Sequence, residues 1–295
     1  MDVLISGASG LIGAALADSL EGDGHRVRRL GRGDRADVRW DPMGGEIDTD
    51  KLAGIDAVVH LAGEGIGNKR WSENQRRIIV ESRTKGTRLL AETAAALDPR
   101  PAVFVSGSGI NYYGGGDAVV TEKDRPGEGF LPPLCVAWEA ATQPAADANI
   151  RVACIRSGIV LDARRGALTK LLTPFRLGVG GKMGSGRQWW SWISIDDEVG
   201  AIRWLLDHDI EGPVNLTAPE AVTNAEFSKA LGHVLGRPSV IPVPAFALKL
   251  ALGPQMAEEL LLLSQNVHPA VLEAAGYPFK YPTLEPALKA ILKKK

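Results

Sequence analysis

Cysteine is nearly absent. Cys135 and Cys154 are the only two in 295 residues, far apart and without histidine or cysteine company. That argues against a disulfide scaffold and a zinc site, and it fits a reducing compartment. Long apolar runs are missing too. The most apolar late stretch, 245–263, is broken by Lys249, Pro254, Glu258 and Glu259, so no membrane-spanning helix and no membrane partner are expected. A charge excess is also lacking: 34 basic against 35 acidic residues leave a net −1. The one basic run, Lys293-Lys294-Lys295, reads as a solvated tail, so no nucleic-acid partner is expected. The first residues show neither a basic leader segment nor an apolar h-region, which points to the cytoplasm. Repeats and low-complexity segments are absent.

What is present begins at once. Val3-Leu4-Ile5 is an apolar strand, Gly7 to Gly13 a glycine-spaced turn, and Ala14 to Ala17 a strong helix former. Strand, turn and helix in that order lay a pyrophosphate on a helix N-terminus. Gly7 lets the chain leave the strand with positive φ, Gly10 opens the backbone to a diphosphate, and Gly13 lets helix and strand pack closely. Ser9, Leu11 and Ile12 complete this set of candidate contacts. A plain strand–helix turn is the competing explanation, because glycine-rich turns are common.

Strands then alternate with helices. Strands are expected at 25–30, 38–40, 56–63, 101–106 and 151–156, and helices at 11–21, 71–97 and 134–146, with a glycine-rich loop at 107–116. The 56–63 strand is apolar on both faces, as at the centre of a parallel sheet. The pattern predicts an α/β fold: a Rossmann-type doubly wound parallel sheet with a smaller, mainly helical C-terminal lobe. Its expected division is 1–157, completed by roughly 189–217, for nucleotide binding, with 158–188 and 218–295 as the substrate lobe. Asp196 and Asn224 are expected to cap two late helices.

The chain resembles the extended short-chain dehydrogenase/reductase superfamily. Within it, the chain is similar to the nucleoside-diphosphate-sugar epimerase subfamily that carries its own C-terminal domain. The residues that carry this resemblance include Gly7–Gly13, His60-Leu61-Ala62-Gly63-Glu64, Lys69-Arg70-Trp71, Ser82-Arg83, Tyr112-Tyr113-Gly114, Trp138-Glu139, Gly184-Ser185-Gly186-Arg187-Gln188 and Pro242-Val243-Pro244-Ala245.

The end of the second strand bears on the cofactor. An acid there would repel a 2′-phosphate, whereas this chain has Arg28, Arg29 and Arg32 and no acid until Asp34. Arginine offers a phosphate a bidentate fork, so Gly31-Arg32 favours NADP, with a solvated surface arginine as the alternative. The resemblance implies further contacts: Asp41 at the adenine (otherwise a turn former before Pro42), Leu61, Ala62 and Gly63 along the dinucleotide, Glu64 near ribose or substrate, and Arg83, otherwise a surface ion pair. Ser106 and Ser157 are included with them.

Hydride chemistry in the superfamily uses Ser, Tyr and Lys. Ser108 matches the serine. The Tyr and Lys positions fall on Leu131 and Cys135, which have no proton to give and no fixed charge. Tyr113 is the substitute acid, although it also reads as a loop-packing aromatic. An unassisted phenol has a pKa near 10, so it needs a cation beside it. Tyr112, Arg176, Arg187, Gln188 and Trp192 are the expected substrate contacts. Burial of a lobe interface is the competing reading of the tryptophans. Ser194 stands where the subfamily usually has His.

Two functions are expected. The first is an NADP-dependent epimerase or reductase of atypical mechanism, a monomer or homodimer acting on a small molecule. The second is a non-catalytic NADP(H) sensor. The resemblance extends the second to cell division, through relatives in photosynthetic lineages.

Overall fold

The computed structural model describes residues 1–34 and 36–293. Lys294 and Lys295 of the expected tail lie outside the described residues. In chain order the first elements are β1 (Asp2–Ser6), α1 (Leu11–Gly22), β2 (Arg26–Gly31), β3 (Val38–Asp41), β4 (Glu46–Ile47), β5 (Ala57–His60), α2 (Glu73–Ala96) and β6 (Val103–Gly109). Next come β7 (Gly116–Val120), α3 (Leu131–Ala140), α4 (Gln143–Asp147), β8 (Arg151–Ser157), β9 (Ile159–Leu161) and α5 (Ala167–Arg176). Then β10 (Trp189–Trp190), β11 (Trp192–Ser194), α6 (Ile195–Asp207), β12 (Gly212–Leu216), β13 (Val222–Thr223) and α7 (Asn224–Leu235) follow. The chain closes with α8 (Ala245–Leu252), α9 (Pro254–Ala257), β14 (Gln265–Val267), α10 (Ala270–Ala274) and α11 (Leu284–Lys293).

The chain divides into two compact units: Met1–Ser108, Leu134–Arg156 and Val199–Val214 form the first, and Gly109–Pro133, Ser157–Glu198 and Asn215–Lys295 the second. Residues 109–133 thus group with the second unit rather than with the nucleotide-binding segment 1–157.

An eight-stranded sheet runs β12-β8-β6-β5-β1-β2-β3-β4. The β2–β1, β1–β5, β5–β6 and β2–β3 pairs are parallel, and the short β4 hairpins back onto β3. Val3, Leu4 and Ile5 of β1 and Ala57, Val58 and Val59 of β5 are fully buried. They form the two-sided apolar centre that a parallel sheet requires. This is the doubly wound fold expected from the sequence. Ser72 starts α2, its hydroxyl accepting from Gln75 N. One face of α2 buries Ile79, Gly86, Leu90 and Ala94, and a Cβ on Gly86 would stand 3.4 Å from the Trp40 ring.

The second unit has its own core, in which Trp190, Trp192, Phe175, Phe227, Leu231 and Leu288 pack together. The tryptophan-rich stretch 189–194 forms two short strands in different sheets, β10 beside β13 and β11 beside β9. The late helix caps lie one or two residues earlier than expected. Ser194, not Asp196, accepts from Asp197 N at the start of α6. Thr223, not Asn224, caps α7 in a reciprocal box with Glu226. Ser194 is fully buried in this cap. Among the described residues, no helix is long and apolar enough to cross a membrane, and no three His, Cys, Asp or Glu side chains group to hold a metal ion.

Candidate functional site

The first unit contains a cavity of about 780 Å³ at the carboxyl ends of β1, β2 and β5. It gathers nine of the expected cofactor contacts: Gly7, Ser9, Gly10, Gly31, Arg32, Leu61, Ala62, Gly63 and Glu64. The turn that begins it is built as its glycines require. Gly7 has φ +70°, and a Cβ there would stand 2.8 Å from the Leu61 carbonyl carbon. A Cβ on Gly13 would stand 2.4 Å from the Gly7 oxygen, so no larger residue fits without moving α1. Gly10 begins α1 without a side-chain cap, and the first turn carries no acid. With no cap side chain on Gly10 and no acid in the first turn to compete, an anion fits at the leading N–H groups of α1.

Trp40, Pro42 and Met43 supply an apolar wall that the sequence reading missed. Asp41, expected at the adenine, is not part of the lining. It is exposed, and its Oδ1 accepts from Met43 N at 3.0 Å, which makes it the turn former of the competing reading. Leu11 and Ile12, which open α1, lie outside the lining, and so do Arg83, Ser106 and Ser157. Arg29, which does line the cavity, donates to Glu21 Oε2 at 2.9 Å. That bond is the main reason the Arg29 pKa is raised.

Arg83 is neither a lining residue nor a surface ion pair. It is buried beneath the 63–64 turn, donating to the Glu64 carbonyl at 2.9 Å and stacking its guanidinium 4.8 Å from the Trp138 ring centroid. Burial lowers its pKa to about 10, against the pull of Cys135 and Glu64. Arg83 thus fixes from below the turn that presents Gly63 and Glu64.

A second brace went unseen in the sequence. Ser6 and His60 sit opposite each other at the ends of β1 and β5. The Ser6 hydroxyl accepts from Leu61 N and Ala62 N, at 3.1 and 3.2 Å, and lies 2.6 Å from His60 Nδ1. One proton is shared along this contact, and the ring's other nitrogen, Nε2, is buried. Burial, followed by the charge of Arg83, lowers the His60 pKa to about 3. The ring is therefore neutral at any physiological pH, and it shapes the exit of β5. The available signal was a polar residue ending each of two adjacent apolar strands.

The catalytic candidates lie elsewhere. Ser108 ends its segment of the first unit, and its hydroxyl donates to Glu139 Oε1 at 2.7 Å. Glu139 in turn receives the fork of buried Arg156, two bonds of 2.8 Å. Ser106 is fully buried, with a long 3.3 Å bond to the Gly107 carbonyl. In the second unit Tyr113 is buried, and its phenol donates to Asn215 Oδ1 at 2.7 Å, which matches the loop-packing alternative. Tyr112 stacks edge-on against it at 5.3 Å. Ser157 donates to Glu198, whose carboxyl is pushed up to about 8 by burial, with the Ser157 bond opposing.

At the positions of the missing pair, Leu131 and Cys135 are both buried. Burial first, and then Glu139, push the Cys135 thiol up to about 12, so it stays neutral and supplies no charge.

Two of the expected substrate contacts are spent on structure. Gln188 is buried and donates to the Met183 and Leu261 carbonyls, at 3.0 and 3.2 Å. Trp192 is fully buried in the core of the second unit and offers no stacking face. Arg176 and Arg187 are exposed.

Residues 3–217 match the model of the NAD dependent epimerase/dehydratase family. This chain belongs to that family. Residues 243–291 match a further model, described as a domain of unknown function, DUF1731. The expected pairing of an epimerase-type domain with its own C-terminal domain is thereby borne out. Epimerase family protein ML0860 of Mycobacterium leprae is 42% identical over 291 residues, covering 97% of this chain and 94% of the relative. Epimerase family protein SDR39U1 of Homo sapiens is 38% identical over 301 residues, covering 99% and 100%. A crystal structure of human epimerase family protein SDR39U1 (isoform 2) with NADPH shares the fold at TM-score 0.92 and 36% identity, over 100% of both chains.

Proposed function

We propose that this chain binds NADPH in the cavity of its first unit and works as an epimerase-like or reductase-like enzyme with atypical proton-transfer groups. One observation carries the cofactor reading. The cavity joins the acid-free start of α1 to Arg32, which follows a β2 with no Asp or Glu in its sequence. That arrangement gives a pyrophosphate its N–H groups and a 2′-phosphate its cation. The NADPH-bound human relative, alike over its full length, supports the same reading. When bound, the cofactor supplies a hydride. The chain's own part is to seat it: Gly7 and Gly10 admit the backbone approach, Trp40 and Met43 offer an apolar wall, and Arg83 and Ser6–His60 hold the 61–64 turn.

The test is a fluorescence titration with NADPH and NADH. Losing a charge-assisted phosphate contact costs about 1.5–3 kcal/mol, so Arg32→Ala is expected to weaken NADPH roughly 10- to 150-fold and leave NADH nearly unchanged. Equal loss of both overturns the assignment. The engaged hydroxyls of Ser108 and Tyr113 favour a second reading, a protein that holds NADPH without turning it over. Oxidation of NADPH by any member of a carbonyl and sugar-nucleotide panel rejects it.

A further inference from the structure

The second unit bears a surface that neither the cofactor nor the expected substrate contacts account for. Two segments build it. Val243 N donates to the Lys182 carbonyl and Gly184 N to the Val243 carbonyl, so 178–184 lies along 238–245. Gly178 faces Pro238, Gly181 faces the Ile241 backbone, and Gly184 faces Ala245 at the head of α8. Large apolar side chains stand out from this face: Leu177 is 73% exposed, Val179 49%, Val240 79%, Ile241 48%, Phe246 74% and Leu250 77%. Helix α8 (AFALKLAL) is almost wholly apolar, yet none of its residues is buried. Exposed apolar area on this scale marks an interaction surface.

Charge identifies what it meets. Residues 163–195 and 227–257 contain nine Lys and Arg and not one Asp or Glu, in a chain whose net charge is −1. Lys182, Arg187, Lys229 and Arg237 are exposed within them. We propose that this face docks on the surface of an anionic lipid bilayer. Protruding apolar side chains ringed by cations enter the headgroup boundary while the cations meet the lipid phosphates. A small ligand calls instead for a concavity that encloses it, and side chains nearly three-quarters exposed do not form one. A second copy would set the exposed Lys182 and Arg237 of one face against those of the other, with Glu258 already engaged by Lys249, so like charges would meet. The proposal goes beyond the NADPH reading and does not rest on it.

The test is flotation of the full chain, with NADPH present, on phosphatidylcholine vesicles with and without phosphatidylglycerol. The chain is expected to float with the anionic vesicles and to leave them as salt is raised. Lys182→Ala and Arg237→Ala are each expected to weaken binding roughly fivefold. Phe246→Ala with Leu250→Ala should weaken it by tenfold or more, roughly what two lost apolar contacts imply. These side chains are exposed, so circular dichroism and NADPH affinity should stay at the parent values. Absence of flotation, equal flotation on neutral vesicles, or self-association that the Phe246 and Leu250 substitutions abolish would each overturn the proposal.

Discussion

His60→Asn tests the brace beneath the cavity, through the dependence of stability on pH. The asparagine amide can take the place of Nδ1 beside the Ser6 hydroxyl, but the side chain no longer titrates. In the parent protein the ring has a pKa of about 3 when folded against 6.5 ordinarily. Between those values the unfolded chain binds a proton that the folded chain refuses, so stability falls as pH falls below 6.5. At ~1.4 kcal/mol per pH unit, the gap caps the effect at about 5 kcal/mol, reached only below pH 3. Taking the protein from neutral pH to about 4.5 should cost about 2.5 kcal/mol from this group alone.

Parent stability by itself does not isolate that cost, because Glu198 acts in the opposite direction. Its carboxyl stays protonated up to about 8 when folded but ionises above 4.5 when unfolded, so its contribution is lost as pH rises through that window. Between 4.5 and 6.5 the two slopes largely cancel. The measurement is therefore a difference: urea unfolding of parent and His60→Asn across this range. The variant is expected to be less stable at neutral pH, because the ring leaves a cavity, and to close the gap by about 2.5 kcal/mol toward pH 4.5. Parallel curves would refute the buried neutral ring.

Gly13→Ala places a Cβ 2.4 Å from the Gly7 oxygen, so α1 must shift from the turn. A loss of about 1–3 kcal/mol in urea unfolding is expected together with weaker NADPH binding, and parent values for both would refute the close packing. Tyr113→Phe leaves Asn215 Oδ1 without the phenol's proton. It should cost about 1–2 kcal/mol and leave NADPH affinity unchanged, whereas loss of a measured turnover at parent stability would restore Tyr113 as the acid.

The sequence revealed most where local geometry dictates residue type. Gly7 and Gly13 are positions where backbone atoms forbid a Cβ, and Arg32 directly follows a strand whose end lines the cavity. The cap assignments slipped because the first polar residue inside a helix was taken for the one before it. Ser194 precedes Asp196, and Thr223 precedes Asn224. Trp192 was expected at the substrate, but 190–194 are buried without alternation, so the competing reading of burial describes it. The commitment of Gln188 was not legible, since one carbonyl it serves belongs to Leu261, 73 residues away. Arg83 was hidden for the same reason, because its aromatic partner Trp138 comes from another helix.

Proton accounting explains why a cofactor cavity can be read from this chain while a reaction cannot. Reducing a carbonyl requires a donor for its oxygen. The Ser108 hydroxyl directs its proton to Glu139, a carboxylate already fixed by the Arg156 fork. Toward a ligand, this hydroxyl offers lone pairs and suits a bound alcohol or amide N–H better than a carbonyl. The Tyr113 proton lies on Asn215, whose own N–H groups go to Glu122 and the His268 carbonyl. Neither donor can serve a carbonyl until its present acceptor is displaced. Turnover on the substrate panel would therefore require a ligand that re-aims one of these hydroxyls. Loss of that turnover on Ser108→Ala but not on Tyr113→Phe would identify which.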